Sequence, residues 1–215
     1  MWLSRAMQRT CLVVITTWFF GVIKIKCEER VPAEDDPQYS AFQDPRKLLG
    51  GTETYYMRYR TYHNGSRIRC ISSTVLCTYG NGTYLNRFGA RLPDGKTIAF
   101  ELPVTLTTTK GHNTSNAMLH KTSPGDTNDT LFILMYLEPN RTCTVLRVPS
   151  ENDGCSLFVQ ERFADEEVPA ECAEMYRNNC PNITNIVYES GCRKQNTRID
   201  VNRNEDGQRR TPALL

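Results

Sequence analysis

Residues 143–158 read CTVLRVPSENDGCSLF, two short alternating runs that each carry a cysteine and are split by a Pro, Asp and Gly turn. Side chains of a strand alternate between its two faces, so Thr144 shares a face with Leu146 and Ser156 shares one with Phe158, opposite Cys143 and Cys155. Two strands joined this way are a hairpin. Its polar Thr144 and Ser156 stand in rows otherwise held by large apolar side chains, the pattern of an interior wall.

The same rhythm runs through the chain before this hairpin. Upstream lie TYYMRYRTYH, RIRCISSTVLCTY, TYLNRFGARL, KTIAFELPVTLTT, NAMLHKT and TLFILMYLEP, and the hairpin's own TCTVLRVP and CSLFVQERF complete the set. They are separated by Asn/Gly, Pro/Asp/Gly and Ser/Pro/Gly punctuation. Eight strands at nearly even spacing predict an all-β, antiparallel eight-stranded barrel or sandwich. Before them, FQDPRKLLG predicts a short helix over Pro45–Leu49, with Asp44 as cap, Pro45 at the first helical position and Gly50 or Gly51 as terminator. After them, VPAECAEMYRNNC places Cys172, Met175 and Tyr176 on one helical face, predicting a helix over Ala170–Asn179 packed outside the strands.

The termini differ in composition. Arg5 and Arg9 precede an apolar run from Cys11 to Ile23, too short for the roughly 20 residues of a membrane span, so residues 1–27 are expected to be a secretory signal peptide. Four basic residues and no acid leave with it, taking the formal charge from +2 to −2. That balance gives no positive field for nucleic acid or anionic lipid, and neither is expected as a partner. Residues 28–41 are acidic and Pro-containing, expected to be a flexible lead-in. Residues 193–215 are polar and rich in Arg and Asn, expected to be a disordered tail. The 42–192 span between them is one barrel domain.

The sequence contains nine cysteines. In a secreted chain they predict disulfides, and if Cys27 is removed one thiol lacks a partner, with Cys77 as the candidate. No Cys-x-x-Cys occurs and His63, His112 and His120 lack ligand spacing, so no metal and no cofactor are expected. Gly-x-Ser-x-Gly, His-Glu-x-x-His and the P-loop are missing, which argues against an enzyme. Sequons at Asn64, Asn81, Asn113, Asn128, Asn140 and Asn182 predict glycosylated, solvent-facing loops.

Helix, eight strands, Cys-bearing helix and last Cys, in that order, resemble the salivary lipocalins of ticks, including their histamine-binding proteins. QDPRKLLGGTETYYMRYRTY, Cys70, and CTV…CSLF…PAECAEMYRNNC…GC carry the resemblance, over nearly all of Phe42 to Cys192. It implies a closed lipocalin barrel, bridges Cys70–Cys192, Cys143–Cys172 and Cys155–Cys180, secretion as a monomer, and sequestration of a small host inflammatory mediator, either a biogenic amine or a leukotriene-like lipid. A surface-acting decoy for a host immune protein such as complement or a cytokine is the alternative.

The amine-binding members carry Cys-Asp-aliphatic, then Glu-Leu-Trp/Tyr, then Cys. Here Thr144 stands against the Asp, Ser156 against the Glu and Phe158 against the aromatic, while Cys143, Val145, Leu157 and Cys172 fit. A buried ammonium needs a paired carboxylate. Amine binding through that pair of positions is therefore expected to be weak unless another acid, such as Glu101 or Glu138, faces inward. The expected cavity is lined by Tyr56, Arg58, Tyr136, Thr144, Leu146, Ser156 and Phe158. Two placements of the Tyr56, Arg58, Arg60 and Tyr62 face stay open: inward, where an arginine would pair with a fatty-acid-like carboxylate, or outward into solvent.

Overall fold

A computed structural model describes residues 31–195, together with two short segments, Arg9–Cys11 and Cys27–Glu29, that pair as antiparallel strands. The rest of the leader and the tail beyond Gln195 lie outside the described residues, and with them most of the expected signal peptide.

The hairpin at 143–158 sits at the centre of the architecture. Its strands, β7 (Cys143–Val148) and β8 (Gly154–Gln160), are buried at every position. A strand buried on both faces needs cover on both. One face is turned to the barrel interior and the other lies under a helix, so the polar Thr144 and Ser156 face inward while Cys143, Val145, Cys155, Leu157 and Val159 form an outer apolar layer. The turn between the strands is a short 3-10 segment followed by Asn152 and Asp153, both left-handed (φ 54° and 55°), a conformation that Asn and Asp tolerate best among side-chain-bearing residues.

Six more strands complete the wall: β1 (Thr54–Arg60), β2 (Arg69–Gly80), β3 (Thr83–Arg91), β4 (Thr97–Thr107), β5 (Ala117–His120) and β6 (Thr130–Leu137). Each pairs antiparallel with its neighbour in sequence, and β8 returns to pair with β1. That last pairing closes the sheet, giving the expected eight-stranded barrel and leaving no long unpaired edge.

Helix α1 (Pro45–Leu49) begins with Asp44 accepting from the Arg46 amide at 3.0 Å, with Pro45 at the first position, and buries Leu48 and Leu49. Helix α2 (Ala170–Asn179) turns Cys172, Met175 and Tyr176 onto the outer apolar layer of β7 and β8. Cys143–Cys172 staples its first turn and Cys155–Cys180 the residue after its last, with Cα separations of 6.3 and 5.8 Å. Cys70–Cys192 is the third bridge, at 5.1 Å, and Cys77 is free and exposed. These are the three pairs that the resemblance implied.

Two features depart from the sequence reading. The lead-in is not flexible throughout. From Ala33 it forms 3-10 turns, Ala33–Asp35 and Pro37–Phe42, that strap the barrel wall. Buried Glu34 takes both ends of the Arg147 guanidinium, at 2.8 and 3.1 Å, and Gln43 donates to the Ala33 and Met135 carbonyls, at 2.8 and 3.3 Å. Acidic composition suggested solvation, and a charge partner more than a hundred residues away reversed it. The second departure is β9 (Asn185–Ile186), which pairs with β1 where β1 and β2 splay apart, and which hands the chain to Cys192. Cys70 adopts a left-handed φ of 55° at this junction.

Candidate functional site

The barrel interior holds a narrow cavity, about 560 Å³ of unfilled space when the part open to solvent is counted. Leu48 and Leu49 of α1 line it, and so do Thr144, Leu146 and Phe158, as expected. Phe88, Phe132 and Val104 supply most of the remaining apolar wall.

Ser156 lies on the same inner face, fully buried, with its hydroxyl 2.5 Å from that of Tyr62, whose phenol is pushed up to about 12 by desolvation. Tyr62 belongs to the inner core, so this pair plugs the far end of the barrel and Ser156 is not part of the cavity lining.

Tyr56, Arg58 and Tyr136 are not in the cavity. The register of β1 against β8 runs Tyr56 to Val159 and Met57 to Phe158, then jumps to Tyr59 opposite Leu157. Arg58 is the extra residue of a bulge, and a bulge inverts the phase of the alternation. Before it Tyr55 and Met57 face inward and Tyr56 outward, packed against Tyr188 beneath the Cys70–Cys192 bridge. Arg58 donates to the Ala164 carbonyl at 2.5 Å and lies over the Tyr188 ring. Beyond the bulge Arg60 and Tyr62 turn to the inner side, with the Arg60 guanidinium over the Tyr62 ring, 5.6 Å from its centroid. A register shift in β6 between Leu134 and Tyr136 likewise sends Tyr136 outward, against Phe42 at 5.1 Å.

The polar groups of the cavity are ones the sequence reading missed. Glu53, two residues before inward-facing Tyr55, lines the cavity. Its Oε1 accepts from Arg141 Nη2 at 3.0 Å, while Oε2 is buried and has no hydrogen-bond partner. Gly51 makes this fold-over possible, because a side chain there would collide with the carboxylate. Tyr55 donates its hydroxyl to the Arg141 carbonyl at 2.7 Å, and burial raises the phenol's pKa. Asn86 donates to Ser73 Oγ at 3.1 Å and leaves its own Oδ1 buried and unpaired.

His120 is clamped between Phe132 and Phe88, ring centroids 4.3 and 4.9 Å away. Its Nδ1 lies 2.8 Å from the Lys121 carbonyl, which can only accept, so Nδ1 carries the proton and Nε2 keeps a lone pair. Desolvation in this apolar slot lowers the ring's pKa to about 4. The cavity thus presents a carboxylate oxygen, an amide oxygen and an imidazole lone pair, and no Lys or Arg is among its described lining residues. Of the acids singled out in the sequence, Glu101 pairs with Arg87 on the outer surface at 2.8 Å, and Glu138 caps the 138–142 turn. A signal for Glu53 did exist: an acid just before an aromatic strand, two residues from Tyr55. Recognising it required the phase of β1, which the bulge conceals.

A closed eight-stranded antiparallel barrel with a central cavity and flanking helices is a lipocalin-like fold. Solved structures agree: a serotonin complex of AM182 (17% identity, 70% of this chain and 95% of that one, TM-score 0.51) and apocrustacyanin C2 (9%, 74% and 88%, TM-score 0.52) share it. Japanin from Rhipicephalus appendiculatus bound to cholesterol is similar at 14% identity over 64% of this chain and 93% of that one, with a TM-score of 0.45. Comparison with curated proteins finds no match. Over residues 33–194 the chain matches the tick histamine-binding protein family, and it belongs to that family. The match begins at Ala33, where the strap begins to pack.

Proposed function

We propose that this is a secreted, non-catalytic scavenger whose barrel takes a small ligand with an aromatic or apolar body and a cationic amine head. The observation that carries the reading is Glu53 Oε2, a buried carboxylate oxygen with no donor among the described residues, in a cavity that also offers Asn86 Oδ1. Unpaired acceptors call for a donor, and a carboxylate calls for a positive one. The aromatic slot of Phe88, His120 and Phe132 supplies stacking surface for the body. Glu53 would do the work that the missing acids at 144 and 156 do in the amine-binding pattern.

A leukotriene-like or fatty-acid carboxylate fits less well. It would face Glu53 with no cation among the described residues that line the cavity; of the two arginines expected to meet it, Arg58 is bonded outside the barrel, and Arg60, turned inward over Tyr62, does not line the cavity. Secretion is supported by the leader sequence, the bridges and six sequon asparagines that are all exposed.

Titration calorimetry with histamine, serotonin, a long-chain fatty acid and a sterol tests this. An amine should bind best, and Glu53→Gln should weaken it about 10- to 100-fold, the worth of a hydrogen bond to a charged group. Tighter binding of the fatty acid, or amine affinity untouched by Glu53→Gln, overturns it.

A further inference from the structure

Outside the barrel, a second concavity lies between the Ala33–Phe42 strap and α2, with about 1200 Å³ of unfilled space, including the part open to solvent. Its apolar part combines Val31, Ala33 and Met175 with three aromatic rings, Tyr39, Phe42 and Tyr136, the last two in contact. Asp36, Glu171 and Glu174 border it, and no Lys or Arg is among its described lining residues. Asp36 already accepts from Gln38, while Glu171 and Glu174 make no hydrogen bond or ion pair among the described residues. Tyr136 is 8% exposed. None of the six sequon asparagines lines the groove, so N-glycans would leave this face open.

We propose that this groove seats the chain's own C-terminal segment, Arg209–Leu215. That segment reads RRTPALL, two adjacent guanidinium groups followed after one residue by four apolar residues. Arginine beside unpaired carboxylates and over aromatic rings is favourable on both counts, and the apolar end covers the ring surface. The tether is long enough. Cys192, whose carbonyl accepts from Tyr56 on β1 at 3.5 Å, lies three strand positions around the wall from β6, an arc of about 15 Å. Residues 196–208 span up to ~45 Å when extended. Tethering also raises the local concentration of the segment to the millimolar range, so a weak motif suffices.

Hydrogen exchange read by mass spectrometry on the full secreted chain at low salt tests the seat. Amides of 210–215 should exchange about tenfold more slowly than in the free peptide 196–215, whatever the protein concentration. Arg209→Glu with Arg210→Glu should return them to the free-peptide rate and deprotect 33–42. Adding Glu171→Arg and Glu174→Arg to that variant should restore protection. A wild-type segment exchanging at the free-peptide rate overturns the proposal. So does protection that survives the arginine changes, or that disappears on dilution, which would place the segment in a second copy.

Discussion

His120 offers the sharpest test of the cavity's electrostatics. The ring is fully enclosed between Phe88 and Phe132 and its pKa is lowered to about 4 by desolvation, against 6.5 in the unfolded chain. The sign follows from proton linkage. Between these two values the unfolded state binds the proton and the folded state does not, so stability falls as pH drops through 6.5 and the loss is complete below about 4. A lowering of this size corresponds to about 3 kcal/mol, most of which is lost by pH 4.5. Paired carboxylates also weaken in acid, so the test is a difference. His120→Phe keeps a planar ring in the slot, gives up the 2.8 Å bond to the Lys121 carbonyl, and removes the titration. Urea unfolding at pH 7 and pH 4.5 should show the variant losing about 2 to 3 kcal/mol less than the native chain, after starting about 1 kcal/mol lower at pH 7. Equal losses in the two proteins would refute the reasoning, because they would mean that the ring is hydrated or already charged in the fold.

The Glu34–Arg147 pair, with side chains 11% and 10% exposed, anchors the strap. Glu34→Ala should cost about 3 to 5 kcal/mol in denaturant unfolding by leaving a buried guanidinium unpaired, and Glu34→Leu with Arg147→Met should recover most of it; a single-variant loss below ~1 kcal/mol would contradict the burial. At the far end of the barrel, Tyr62→Phe or Ser156→Ala alone should cost about 1 to 3 kcal/mol, while the double variant should be closer to native than either single one. Additive losses in thermal unfolding would show that the two hydroxyls are not each other's partner.

The sequence by itself determined the wall and its fasteners. Eight alternating runs with turn residues between them specify strands because local polarity period and backbone preference agree. Asp44-Pro45 and the 3–4 spacing of Cys172, Met175 and Tyr176 fix both helices by equally local rules. Thr144, Leu146 and Phe158 were legible as cavity residues because β7 and β8 are regular on either side of one tight turn. Only the tertiary structure decided the rest. A single extra residue at Arg58 reversed the phase of β1, so that Tyr56 and Tyr62, which strict alternation would put on one face, point out and in respectively, and nothing in the local pattern of TYYMRYRTY marks where the partner strand skips. The shift before Tyr136 did the same in β6. Glu34 reads as a solvated acid until Arg147 is folded against it, and Glu53, Asn86 and His120 read as ordinary strand and loop residues until closure of the barrel points them into one cavity. Strand identity depends on a few neighbouring residues, whereas which face looks inward depends on register against a strand a hundred residues away.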